Sequence, residues 1–86
     1  METRVAVLGI IVDNTESVEK MNGILHIYAP YIIGRMGIPY REKDLSIISI
    51  AMDAPQDTIN ALSGKIGKLT GVSVKAAYAN TRDKHE

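Results

Sequence analysis

The sequence predicts an α+β domain of order βαββαβ, a four-stranded antiparallel sheet with both helices on one face. Three observations predict it. Val18, Met21, Leu25 and Tyr28 recur forty-one places later as Ile59, Leu62, Ile66 and Leu69, with the same steps of three, four and three, so one apolar helical stripe is written twice. A β-like apolar run flanks each stripe on both sides. The one dense charge cluster, Arg41, Glu42, Lys43 and Asp44, falls between the two halves, where a hairpin turns. Together these make the split βαβ, or ferredoxin-like, sandwich.

The first strand is expected from Arg4 to Val12. Both of its alternating sets are apolar, with Val5, Val7, Gly9 and Ile11 opposed to Ala6, Leu8, Ile10 and Val12, so it wants cover on both sides. Asp13, Asn14 and Thr15 then supply turn and cap chemistry, because their short side chains accept hydrogen bonds from the unpaired amides that open a helix. The first helix follows to about Ala29. Pro30 cannot continue it, and a second strand covers Tyr31 to Tyr40, weakened by Gly34 and Gly37, which suggest bulges.

After the charged turn, a third strand from Leu45 to Met52 again has two apolar faces, Leu45, Ile47 and Ala51 against Ile48, Ile50 and Met52, and reads as central. Pro55 suits the first turn of the second helix, since its missing amide hydrogen would be unpaired anyway, and Asp57 adds negative charge near the helix start. That helix runs to about Leu69 and Gly71 stops it. Val72, Val74, Ala76 and Tyr78 then alternate with Ser73, Lys75 and Ala77 as an edge strand with one strongly apolar face. The domain spans 1–79, and 80–86, aperiodic and of mixed charge, is expected to be a flexible tail.

With 86 residues, 45% hydrophobic and 23% charged, the chain has the composition of one small globular domain. Such a domain buries only about 60 to 65% of the surface its unfolded chain exposes, so a second copy would add useful stability. In a βαββαβ unit both crossovers are right-handed and both helices lie on one side of the sheet, leaving the other side bare, and here that side is apolar. Burying roughly five further aliphatic side chains contributes on the order of 1.5 to 3 kcal/mol each, against about 4 to 15 kcal/mol for association. A homo-oligomer, dimer or tetramer, is expected.

Composition also excludes chemistry. Ten basic and ten acidic residues cancel, so nothing draws a polyanion from a distance and no direct contact with nucleic acid is expected. Without cysteine there are no disulfides, thiolate metal sites, iron–sulfur clusters or thiol nucleophiles, which removes the electron-carrying ferredoxins and the copper or mercury carriers of the same topology. The third strand lacks the aromatic side chains on which RNA-recognition domains stack bases, and Asp13 and Asn14 stand where a phosphate-cradling glycine loop would be needed. The apolar stretch Val5 to Val12 is far shorter than the ~18 residues of a membrane span and no small-residue cleavage pattern follows it. The chain is read as cytoplasmic, with no membrane contact and no cofactor.

Few side chains invite function. His26 lies one turn after Asn22 and two turns after Glu19, off the apolar stripe, and reads as an exposed structural histidine; His85 falls in the tail. Asp13 and Asp53 end equivalent strands and could flank one cleft, yet helix capping explains both without a reaction. Gly34, Arg35, Met36 and Gly37 form the least ordinary segment: two glycines flanking a cation permit close approach by a neighbour or ligand, and Arg35 can grip a ligand carboxylate or pair with Glu42 or Asp44 across the hairpin.

The strings Arg4-Val5-Ala6-Val7-Leu8-Gly9-Ile10, Tyr31 to Pro39 (Tyr-Ile-Ile-Gly-Arg-Met-Gly-Ile-Pro) and Leu45-Ser46-Ile47-Ile48-Ser49-Ile50 resemble the small family of iron-only hydrogenase system regulators over Arg4 to Tyr78. That family is similar to ACT domains and to the ligand-binding domain of the nickel-responsive repressor. The resemblance implies small-effector binding at a subunit interface, through the loop after the first strand and through the second strand, here Asp13, Asn14 and Thr15 with Gly34, Arg35, Met36 and Gly37. Asn14, Thr15 and Glu16 stand where ACT loops carry proline and glycine, and His26 alone does not reproduce the repressor's histidine and cysteine metal site, so no metal is expected. The expected function is that of a non-enzymatic, ACT-like homo-oligomeric regulator of an iron-only hydrogenase system that binds a small effector or a partner protein. A structural assembly module without a small-molecule ligand is the alternative.

Overall fold

The computed structural model describes residues 2–80, so the expected tail lies, from residue 81 onward, outside the described residues. The elements follow in the expected order: β1 (Arg4–Val12), α1 (Thr15–Ile27), β2 (Ile32–Tyr40), β3 (Leu45–Ala54), α2 (Gln56–Gly67) and β4 (Val72–Tyr78). The strands form one antiparallel sheet of order β2-β3-β1-β4, with β1 and β3 central. The chain has the ferredoxin-like α+β fold.

Period-two alternation sorts the sheet into two faces. Ala6, Leu8, Ile10 and Val12 of β1 and Ile48, Ile50, Met52 and Ala54 of β3 point to one side and are buried, together with Met21 and Leu25 of α1, Tyr28 at its C-cap, and Ile59, Leu62 and Ile66 of α2. Val18 and Leu69, the outermost members of the two quartets, pack against this core while partly buried. The ammonium of Lys65 sits 5.1 Å from the Tyr28 ring, tying α2 to the end of α1. Arg4 lies over the Tyr78 ring and donates to Gln56 Oε1, while Gln56 Nε2 donates to the Tyr78 hydroxyl, so the start of β1, the start of α2 and the end of β4 meet in one polar cluster.

Several boundaries differ from expectation for local reasons. α1 ends at Ile27, and a single 3-10 turn over Ala29–Tyr31 carries Pro30 to the start of β2. β3 continues to Ala54 because its last residues still pair with Arg4 and Val5. Pro55 is not inside the first turn of α2; it caps it from outside with extended backbone, its carbonyl accepting from the amides of Thr58 and Ile59. Asp53 does not cap a helix. It is exposed and pairs in register with Val5 at one end of the sheet, whereas Asp13 follows Val12 at the other. At about 3.3 Å per residue the two carboxylates stand more than 20 Å apart and cannot flank one cleft.

The helical layer does not reach the whole sheet. No residue of β2 is buried and only Ile32 is partly so. Ile33 is the extra residue of a bulge between Ile32 and Gly34, where the glycine-weakened strand was expected to bulge. The inner face of β2 therefore borders an open groove along α1, and the outer face of the sheet is uncovered.

Candidate functional site

The loop expected to bind an effector is engaged with its own chain. Asn14 caps α1, its Oδ1 accepting from the Glu16 amide at 2.9 Å. The Asp13 amide donates to the Gly71 carbonyl at 2.8 Å, and Ser17, buried in the first turn of α1, donates from Oγ to the Thr70 carbonyl at 2.6 Å. Gly71 has a left-handed φ of +71°, and a Cβ there would run into Asp13 Oδ1 and crowd Asn14. The β1–α1 loop and the α2–β4 turn thus hold each other. Of the three loop residues Thr15 faces a cleft of about 180 Å³, which it shares with Val18, Pro39, Tyr40, Arg41 and Asp44. There Tyr40 donates from its hydroxyl to Glu42 Oε1 at 2.8 Å. That bond holds the phenol proton and, with slight desolvation, raises the Tyr40 pKa above its ordinary value.

The second expected segment divides between the two faces of the sheet. Facing residues on paired strands share a side, so Gly34 and Met36, opposite Ala51 and Ser49, point to the uncovered face, while Arg35 and Gly37, opposite Ile50 and Ile48, point to the helix side. Gly37 pairs with Ile48, which pairs with Ile10, three residues short of Asp13. The loop and Gly37 are therefore separated by roughly 10 Å along the strands and two strand spacings of about 4.8 Å each. Within one chain the seven candidate residues do not converge.

Arg35 pairs with neither Glu42 nor Asp44. Its Nη2 donates to Asn22 Oδ1 of α1 at 3.0 Å, because the register sets it opposite Ile50, five residues from the end of the hairpin pairing at Tyr40 and Leu45. A second cleft of about 270 Å³ opens there, lined by Asn22, Leu25, His26, Ala29, Ile32 and Arg35. Neither Asn22 nor His26 stood out as a ligand-binding residue in the sequence. The available signal was their spacing of four, which puts them on one helical stripe beside the buried one. Ser17 was also missed, since a serine one position before the stripe carries no mark of burial.

The uncovered face carries Val7, Ile11, Met36, Ile38 and Ile47, each between 41% and 61% exposed. A shallow depression of about 370 Å³ crosses it over Gly9, Ile11, Ile47 and Ser49, with Ser73 and Lys75 along its β4 side. Among the described residues no group of three or more His, Cys, Asp or Glu is placed to hold a metal ion, and no helix is long and apolar enough to cross a membrane.

Fold and clefts define a ferredoxin-like α+β protein with two clefts between α1 and the β2 side of the sheet. The chain belongs to the TM1266-like family, described as "Iron-only hydrogenase system regulator, putative", whose model matches residues 4–76. It is similar to the solved structure of the uncharacterized protein TM1266 from Thermotoga maritima, with 38% sequence identity and a TM-score of 0.88 over 92% of this chain and 100% of that one. No curated protein matches it.

Proposed function

We propose that the chain is a non-enzymatic, ACT-like homo-oligomeric regulatory module that acts in the cytoplasm on an iron-only hydrogenase system by binding a small effector or a partner protein. The uncovered apolar face of the sheet carries this reading. Five half-exposed aliphatic side chains on one flat surface are stable in water chiefly when another apolar surface meets them, and a second copy of the same chain is always at hand. The family's description supports a regulator rather than a catalyst, and a net charge of zero favours a small molecule or a protein over a nucleic acid as the bound species.

Light scattering at micromolar concentration combined with a thermal-shift screen of amino acids and metal ions tests the proposal. The expected result is a mass of two or more chains and a raised melting temperature with one ligand class. A ligand at a hundred times its dissociation constant adds about 2.7 kcal/mol, or roughly 10 °C or more for a domain of this size. A multimer that no compound stabilises supports the assembly module instead, and a single-chain mass removes the oligomeric reading.

A further inference from the structure

We propose that the cleft between α1 and β2 that holds Arg35, Asn22 and His26 binds a small carboxylate with a short apolar body. The inference rests on the effector-binding reading above and names its site and ligand class. Arg35 is the only arginine or lysine among the six residues that line the cleft, and no acid is among them. A guanidinium offers five N–H donors in a planar fork. Among the described residues Arg35 spends one, on the neutral amide oxygen of Asn22. That single bond orients the group without neutralising it, so an edge of the fork remains for the two oxygens of a carboxylate, the geometry arginine matches best.

The bland alternative, an arginine parked against its own hairpin, fails on position. Glu42 is taken by Tyr40, and Glu42 and Asp44 both lie beyond the Tyr40 and Leu45 pair, roughly 15 Å or more along the strand from Arg35. The fold gains little from the arginine there either, because its one bond, from the cationic guanidinium to the neutral Asn22 amide, is exposed to water that solvates both groups. His26, one turn after Asn22, lines the same cleft, and Leu25, Ala29 and Ile32 make the rest of its lining apolar. A cation is disfavoured by Arg35. The volume, about 270 Å³, falls below that of sites for drug-sized molecules and fits a body of a few carbons.

Amide-shift mapping on the full chain tests the site, with hexanoate and benzoate as probes, hexanamide and benzamide as their neutral matches, and inorganic phosphate as the anion without a body. Expected are saturable shifts at Asn22, His26 and Arg35 with a carboxylate and none with its amide, and at least a tenfold loss of affinity in Arg35→Gln with an unchanged melting temperature. Equal binding by the amide, by phosphate or by Arg35→Gln overturns the proposal, as does the absence of saturable shifts at these residues. Shifts confined to Asp13, Asn14 and Thr15 overturn this site while leaving the effector reading intact. Light scattering on the same samples reads the oligomeric half of that reading separately.

Discussion

Gly71 shows how one residue fixes a loop. Its φ of +71° and the Asp13 carboxylate packed where a Cβ would stand make two independent demands for glycine. Gly71→Ala is expected to cost roughly 2 kcal/mol or more in chemical denaturation, about half of it the left-handed backbone penalty. Adding Asp13→Ala returns the part due to the Asp13 carboxylate and leaves the backbone part with the crowding of Asn14, so a double-mutant cycle isolates the Asp13 share. Tyr40 makes a prediction in pH. Its raised pKa comes first from the bond to Glu42 and then from desolvation, so the protonated phenol is the form the fold favours. That contribution is fully present below the ordinary tyrosine value of 10.0 and is lost as pH rises through the higher folded value. In a phenolate-absorbance titration, the difference between wild type and Tyr40→Phe should show one tyrosine ionising above 10.0, and Glu42→Gln should bring it down. A Tyr40 that ionises with an ordinary midpoint in the folded protein contradicts the Glu42 bond.

The elements were the most legible part of the sequence, because helix and strand each have a period that the apolar residues must obey. The repeated quartet marked six buried positions, five of them helical and the sixth, Tyr28, at the C-cap of α1, while its outermost members, Val18 and Leu69, are only partly buried, Leu69 lying past the end of α2. That difference is measurable. Leu62→Ala, at a fully buried site, should cost about 2 to 5 kcal/mol, whereas Leu69→Ala should cost less than half as much in the same denaturation series; equal costs would mean that the core extends past Leu69. Side-chain partners were not legible in the same way. Arg35 reaches Asn22 across the groove between β2 and α1, a distance no spacing encodes, and the antiparallel register that separates Asp13 from Asp53 appears only once β3 is laid against β1. The candidate site was accordingly read in part. Thr15 and Arg35 line two separate clefts, but Gly34 and Met36 look out from the far face, and Asp13 and Asn14 are occupied by the chain itself.

At the scale of the whole molecule the sheet is the asymmetric component, helices on one side and water on the other. Val7, Ile11, Met36, Ile38 and Ile47 are already about half covered by their neighbours, so burying what remains gains on the order of 1 kcal/mol each rather than the full transfer value. A two-fold pairing counts each side chain twice and so gains about 10 kcal/mol, within the roughly 4 to 15 kcal/mol that association costs. The balance is close enough for two charges to tip it. Ile11 and Ile47 pair with each other in register and form one apolar row with Ile38, with Ser73 and Lys75 toward the β4 side of the patch, apolar ground beside a polar rim as in a protein interface. Ile11→Lys with Ile47→Lys is therefore expected to reduce the light-scattering mass to one chain, and to abolish the rise of melting temperature with protein concentration that mass action gives an oligomer. The same pair of changes should leave the circular dichroism spectrum intact, since both side chains point away from the core. An oligomer that survives both lysines would have to be built through the β2 or β4 edge, and the uncovered face would then need another occupant.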